Sequence, residues 1–131
     1  MITSHKKYLG IDWGSKRIGL AIGDDETRMA VPLVIVKDID EILQVIDSED
    51  IEVIVLGKPL SIANHELKIT NESFNIFVDE LKDKIKIPIE MIDERLSSKA
   101  ADALVGDKKT KAPRDTIAAM LILQNYLDKL P

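Results

Sequence analysis

The sequence predicts an α/β fold: a mixed five-stranded sheet, three strands antiparallel and the later ones parallel, flanked by helices. Three observations lead there. The chain opens with closely spaced apolar runs of strand character, separated by short polar or glycine-bearing turns. Further on, apolar runs alternate with segments whose apolar residues recur every three or four positions. Strand–helix–strand order builds parallel pairing, and a sheet of that kind is buried by helices on both faces.

Residues 8–12, Tyr-Leu-Gly-Ile-Asp, form a short apolar run ending on an acid. Trp13-Gly14-Ser15 reads as a turn, and residues 17–22 return antiparallel, closing a hairpin. Asp24-Asp25-Glu26-Thr27 is a polar turn. Residues 29–36 make a third strand, in which Pro32 implies an edge or irregular position. Ile39, Ile42, Leu43 and Ile46 have helical spacing and predict a helix over 38–48. Residues 52–57 are rich in β-branched side chains and stop at Gly57 and Pro59, as a buried strand does. Leu67, Thr70, Phe74, Val78, Leu81 and Ile85 then predict one long helix, capped by Asn64 or Ser61. Residues 85–92 read as a fifth strand, broken by Pro88. A short helix over 97–105 capped by Ser97 follows, then a polar, basic loop over 106–111. A last helix begins at Pro113, a residue suited to a first turn, and runs to about residue 128. Its core side holds Ile117, Met120, Leu121 and Leu127. The order βββ-α-β-α-β-α-α is that of the ribonuclease H-like fold.

At 131 residues and 45% hydrophobic, the chain has the size and the apolar content of a single domain over residues 1–131. No apolar run approaches the ~18 residues of a membrane span. The opening, Met1 to Lys7, lacks the apolar core of a signal peptide. The absence of cysteine excludes disulfides and thiolate metal sites, and a cytoplasmic setting is expected. The net charge of −5 argues at first against a nucleic-acid partner. Its distribution argues otherwise. Asp38, Asp40, Glu41, Asp47, Glu49, Asp50 and Glu52 place −7 in one stretch without Lys or Arg, which leaves +2 for the remainder. That stretch can face away from a polyanion, or it can simply be a solvated helix face.

Three acids sit where a strand end or a helix start meets a loop. Asp12 ends the first strand, Glu94 follows the fifth, and Asp115 lies in the first turn of the last helix. If the first, fourth and fifth strands are neighbours, their ends converge. Hard divalent cations take oxygen ligands, and Mg²⁺ commonly uses one or two carboxylates with water and a substrate phosphate. Two such ions ~3.5–4 Å apart can activate water and steady a leaving oxygen. Each acid also has a purely structural account. Asp12 can cap the turn, Glu94 can pair with Arg95, and Asp115 is favoured by the helix dipole alone. Asp93 and Glu94 alternate in direction, so one of them at most is expected to ligate.

Basic residues surround these acids. Lys58 follows Gly57 at the end of the fourth strand, and Lys16 and Arg17 follow Asp12. Lys108, Lys109, Lys111 and Arg114 lead into Asp115 with only Asp107 opposing them. Phosphate contact suits all of them, as does an ordinary solvated loop. Trp13 can stack on a base, but packing against the core edge is favoured.

Four blocks together resemble the YqgF/RuvX family, the Holliday-junction-resolvase-like pre-16S rRNA nucleases. Leu9-Gly10-Ile11-Asp12-Trp13-Gly14-Ser15-Lys16-Arg17-Ile18-Gly19-Leu20-Ala21 looks like the family's opening GIDxGxKRIGxA. Ala30-Val31-Pro32-Leu33 and Gly57-Lys58-Pro59-Leu60 look like its A-x-P-L and G-x-P-L segments. Asp93-Glu94-Arg95-Leu96-Ser97-Ser98 looks like its DERL-T-T block. Asp115-Thr116-Ile117-Ala118-Ala119, with Leu123-Gln124-Asn125-Tyr126-Leu127, looks like its closing D-x-I-A-A…L-Q-x-Y-L. The resemblance covers nearly the whole chain. It departs at 61–66, which lacks the glycine and aspartate of N-x-D-G-T-E, and at Lys58, where the family usually has an apolar residue.

The resemblance implies a ribonuclease H-like fold, a metal-dependent endonuclease and maturation of the 5′ end of 16S rRNA precursor. It implies an active-site role for Asp12, Glu94 and Asp115. Asp12 is then expected to bridge two Mg²⁺ (or Mn²⁺) ions, with Glu94 and Asp115 completing either side. Lys58, Arg95 or Lys16 would neutralise phosphate charge. The expected partner is nucleic acid, an rRNA precursor ahead of a four-way DNA junction, with ribosomal proteins as further candidates. The chain itself is expected as monomer or homodimer. Two other classes stay open: a non-catalytic docking module, and a nucleotide-binding phosphotransferase whose phosphate loop Gly10-Ile11-Asp12-Trp13-Gly14-Ser15 would resemble.

Overall fold

The computed structural model describes residues 5–14, 16–58, 60–63, 66–69, 72–93 and 114–130. The strands among them are β1 (Lys7–Asp12), β2 (Ile18–Asp24), β3 (Ala30–Val36), β4 (Val53–Lys58), β5 (Leu60–Ala63), β6 (Glu66–Ile69) and β7 (Ile89–Asp93). The helices are α1 (Ile39–Ser48), α2 (Glu72–Lys84) and α3 (Arg114–Asp128). The main sheet has five strands in the order β3-β2-β1-β4-β7. The first three strands pair antiparallel with one another, while β4 pairs parallel with β1 and β7 parallel with β4, as expected.

Period-two alternation divides the core into two layers. Leu9 and Ile11 of β1 join Ile54 and Leu56 of β4 under α1 and α2, which contribute Ile39 and Ile42, and Phe74, Phe77, Val78 and Leu81. On the other face Tyr8, Val53 and Val55 pack against Ile122, Leu123 and Leu127 of α3. Each fully buried Leu, Ile or Phe is worth about 1.5–3 kcal/mol. The α1 helix starts where Asp38 caps it, its Oδ1 accepting from the Glu41 N–H at 3.0 Å.

The segment between β4 and α2 corrects the sequence reading. The long helix does not begin near Leu67. Leu60–Ala63 and Glu66–Ile69 form an antiparallel ladder instead, with Leu60 opposite Ile69 and Ala63 opposite Glu66. The helix starts at Glu72, so Asn64 and Ser61 do not cap it. The fifth predicted strand is also shorter. It starts at Ile89, after Pro88, whose carbonyl accepts from the Ile54 N–H at 2.9 Å. The predicted helix over 97–105 and loop over 106–111 lie outside the described residues. Among the described residues no helix is long and apolar enough to cross a membrane.

Two side chains, Asp24 and Gln124, each make several of the bonds that fasten the turn from β2 to β3. Asp24 Oδ1 accepts from the Thr27 N–H at 2.7 Å, the Thr27 hydroxyl and the Glu26 N–H. The Thr27 N–H above all holds the Asp24 carboxyl below its ordinary range. A depressed carboxyl supports the fold fully above its unfolded-state value, and that support fades as pH falls through the folded-state value. The second fastening is Gln124 of α3. It accepts from the Ala30 N–H at 2.9 Å and donates to the Arg28 carbonyl at 2.8 Å. Gln124→Ala is expected to lower the unfolding free energy by about 1–2 kcal/mol, read from the urea midpoint, because it orphans a part-buried N–H. Beyond the turn, β3 is an edge strand. It carries exposed Val31 and Val34, and Pro32 stands opposite Ala21 beside a register shift in β2.

Candidate active site

Because β1, β4 and β7 are parallel neighbours, their C-terminal ends share one edge of the sheet. Ile11 pairs with Leu56, Gly57 with Ile92, and Lys58 with Asp93. Asp12 is the last residue of β1. It alternates with Ile11, which is packed under α1 and α2, and so belongs to the α3 side of the sheet.

Asp115 reaches the same place from α3. It occupies the first turn, where the helix dipole favours a carboxylate. Two glycines let α3 come this close. A Cβ on Gly10 would lie 2.7 Å from both the Ala119 carbonyl oxygen and Leu123 Cβ. A Cβ on Gly19 would overlap the Asp115 carbonyl group and lie 3.0 Å from Asp115 Cβ. Gly19 is also the residue directly opposite Asp12 in the β1–β2 ladder. One glycine therefore separates the two backbones that carry these carboxylates.

Of the sequence-predicted set, Asp12 and Asp115 lie on the same side of one sheet end, with Gly19 between their backbones. The Asp115 side chain is only 18% exposed, and Arg17 Nε stands 3.3 Å from its Oδ2. The Arg17 side chain is 70% exposed, so this pair is worth at most about 1 kcal/mol. Lys16 is exposed in the adjoining turn, and half-buried Lys58 ends β4 across from Asp93. Arg114 is the first residue of α3. Glu94, Arg95, Lys108, Lys109 and Lys111 lie outside the described residues. Glu94 directly follows β7, whose Ile92 packs on the α3 side.

Among the described residues no group of three or more His, Asp or Glu side chains is placed to hold a metal. Asp12 and Asp115 supply two members of an all-oxygen donor set, which is the chemistry Mg²⁺ or Mn²⁺ takes. The acidic stretch splits between two places. Asp47, Glu49, Asp50 and Glu52 lie at the opposite end of the sheet, where the Glu52 N–H meets the Lys7 carbonyl and Glu49 pairs with Lys7 at 3.3 Å. Asp38, Asp40 and Glu41 open α1 on the other face from α3.

Trp13 packs as favoured, edge-on to Phe74 with ring centroids 5.7 Å apart. Gly19 is the residue of this site that local patterning does not single out. The signal was available: Gly10 and Gly19 stand in neighbouring strands, and the last helix carries the small pair Ala118-Ala119.

Comparison with known proteins agrees with this fold. The family model described as "RuvX: Holliday junction resolvase" matches residues 6–129. A protein of Maridesulfovibrio salexigens named "Putative pre-16S rRNA nuclease" is 36% identical, the match covering 92% of this chain and 97% of the relative. One of the same name from Bordetella petrii is 38% identical over 94% and 95% of the two chains. Among solved structures, RuvC of T. thermophilus in complex with a Holliday junction substrate superposes with a TM-score of 0.61 at 17% identity, covering 92% of this chain and 93% of that one. Fowlpox virus resolvase, solved with Holliday junction DNA, gives 0.54 at 14% identity over 93% and 97%. The five-stranded mixed sheet is thus the ribonuclease H-like fold of the resolvases. With a family match over residues 6–129 and relatives 36–38% identical over most of its length, the chain belongs to the RuvX (YqgF) family.

Proposed function

We propose that this chain is an endonuclease that uses Mg²⁺ or Mn²⁺ to cut a phosphodiester near the 5′ end of 16S rRNA precursor. The observation that carries this reading is the junction at Gly19, which puts Asp12 and Asp115 on the same side of one sheet edge. Asp12, Asp115 and Glu94 would hold the metal. When bound, it supplies a water activated near neutral pH and charge neutralisation at the phosphate. The remaining work falls to the chain's cations. Lys16, Lys58 and Arg95 balance charge at the scissile phosphate. Arg17, now paired with Asp115, is exposed enough to swing from carboxylate to phosphate. Lys108, Lys109, Lys111 and Arg114 would track the nucleic-acid backbone, giving an affinity that falls with salt.

The names of relatives at 36–38% identity favour RNA over a DNA junction. A cytoplasmic setting beside ribosomal proteins follows from that substrate. The test uses two labelled substrates, a 16S precursor fragment and a four-way DNA junction. Cutting of the RNA is expected with Mg²⁺ or Mn²⁺, with loss in EDTA and recovery when metal is added back. Cutting of the junction alone would move the activity to recombination. Undiminished cutting in EDTA would remove the metal from the reading.

A further inference from the structure

A pocket of about 230 Å³ opens at the same sheet end as Asp12, on the opposite face. Trp13 forms part of its wall. Alternation sends Trp13 with Leu9 and Ile11 to the α1/α2 side, while Asp12 goes to the α3 side. Two neighbouring residues, with Cα atoms ~3.8 Å apart, thus serve two sides of one strand end. The Trp13 ring is braced by Phe74 and Phe77, at 5.7 and 6.1 Å between centroids, yet stays half-buried. Facing the same space are Phe77 and Ile76 of α2, and Ile76 is 59% exposed. The polar lining comes from Lys37, Asp38, Ser73 and Glu80.

That combination selects for a particular ligand shape. An indole wall and aliphatic neighbours suit a flat ring. On the rim Asp38 and Glu80 outnumber Lys37, which disfavours a phosphate inside the pocket while leaving acceptors for ring N–H and amino groups. We infer that this pocket receives one unpaired nucleobase of the RNA substrate, next to the phosphate held at Asp12. The inference rests on the nuclease reading. It adds to it a reason for preferring single-stranded or looped RNA, since a paired base cannot leave its stack without cost. Aromatic stacking of this kind is tolerant of sequence, and the rim would favour bases that carry amino groups.

Trp13 is the chain's single tryptophan, so its fluorescence reports on the pocket directly. The experiment titrates the protein, in EDTA to keep RNA intact, with a single-stranded 16S precursor oligonucleotide and with the same sequence as a duplex. Binding is followed in parallel by anisotropy of a label on the RNA. Quenching of Trp13 by the single strand, and far less by the duplex, is expected. Ile76→Glu, at an exposed position that leaves the fold intact, should abolish the quenching. It should also weaken single-strand binding about tenfold. Equal quenching by both RNAs overturns the inference. So does RNA that binds, and is cut when metal is added, without disturbing Trp13; the nuclease reading then still stands. A protein that neither binds nor cuts RNA brings down the nuclease reading and this inference with it.

Discussion

Replacing Gly19 by alanine is expected to lower stability by about 3 kcal/mol and cleavage by about 10²-fold, although the side chain added is one methyl group. The new Cβ would overlap the Asp115 carbonyl group, which is backbone and cannot rotate aside. Either β2 bends or the start of α3 lifts away. Both responses separate Asp12 from Asp115, since Gly19 lies between them. Gly10→Ala makes the informative comparison. Its Cβ would crowd Ala119 and Leu123, one and two turns further along α3 from Asp115. It should destabilise in the same direction with a smaller loss of cleavage per unit of stability lost. Urea unfolding and single-turnover cutting of the precursor fragment, measured on both variants, separate a packing effect from a displacement of the site. Equal cleavage by Gly19→Ala and the parent protein would refute the claim that this contact sets the carboxylate spacing.

The second large effect belongs to Asp12→Asn. Asparagine keeps the shape and removes the charge, so the strand end should fold as before, with an unfolding free energy within about 1 kcal/mol of the parent. Cleavage should fall by at least ~10²-fold, because a neutral amide oxygen is a poor ligand for a hard cation and offers no charge to hold it. Mn²⁺ affinity, followed by the spin-resonance signal of the free ion, should fall with it. Folding and metal affinity together make the result interpretable. Lost cleavage with unchanged Mn²⁺ binding would mean that Asp12 acts on the substrate and not on the metal. Normal cleavage would remove Asp12 from the site altogether.

Much of this arrangement could be read from the residues. The hairpin, the turn to β3, α1, β4 and the last helix lie close to their expected places, because each is marked by local chemistry. Asp38 caps α1, and the β-branched run that starts at Val53 marks β4. Asp12 and Asp115 were recognisable as acids at element ends. Periodicity alone reads Glu66–Ile69 as the start of the helix, because Leu67 and Thr70 fall in step with Phe74 and Val78. Short apolar runs satisfy both periods. The competing signal was period two: Leu60 and Ile62, then Leu67 and Ile69, alternate with smaller or polar residues. Other features could not be read from any local pattern. The meeting of Asp12 and Asp115 at Gly19 depends on strand register and on the depth at which α3 packs. The Trp13 pocket gathers residues from the ends of β1 and β3 and from α2, which lie up to 67 positions apart in the chain. Such coincidences are products of tertiary packing, and only a three-dimensional arrangement contains them.

The edge strand β3 has a consequence for how the molecule behaves in company. A sheet margin with exposed Val31 and Val34 would ordinarily invite a passing strand to dock and extend it, the first step toward a fibril. Pro32 removes a hydrogen-bond donor from the middle of that margin, and the irregular register beside it breaks the flatness a template needs. The margin is apolar yet poorly shaped for copying. Along β3, the strand that presents the most exposed valines is thus also a poor template for a second copy.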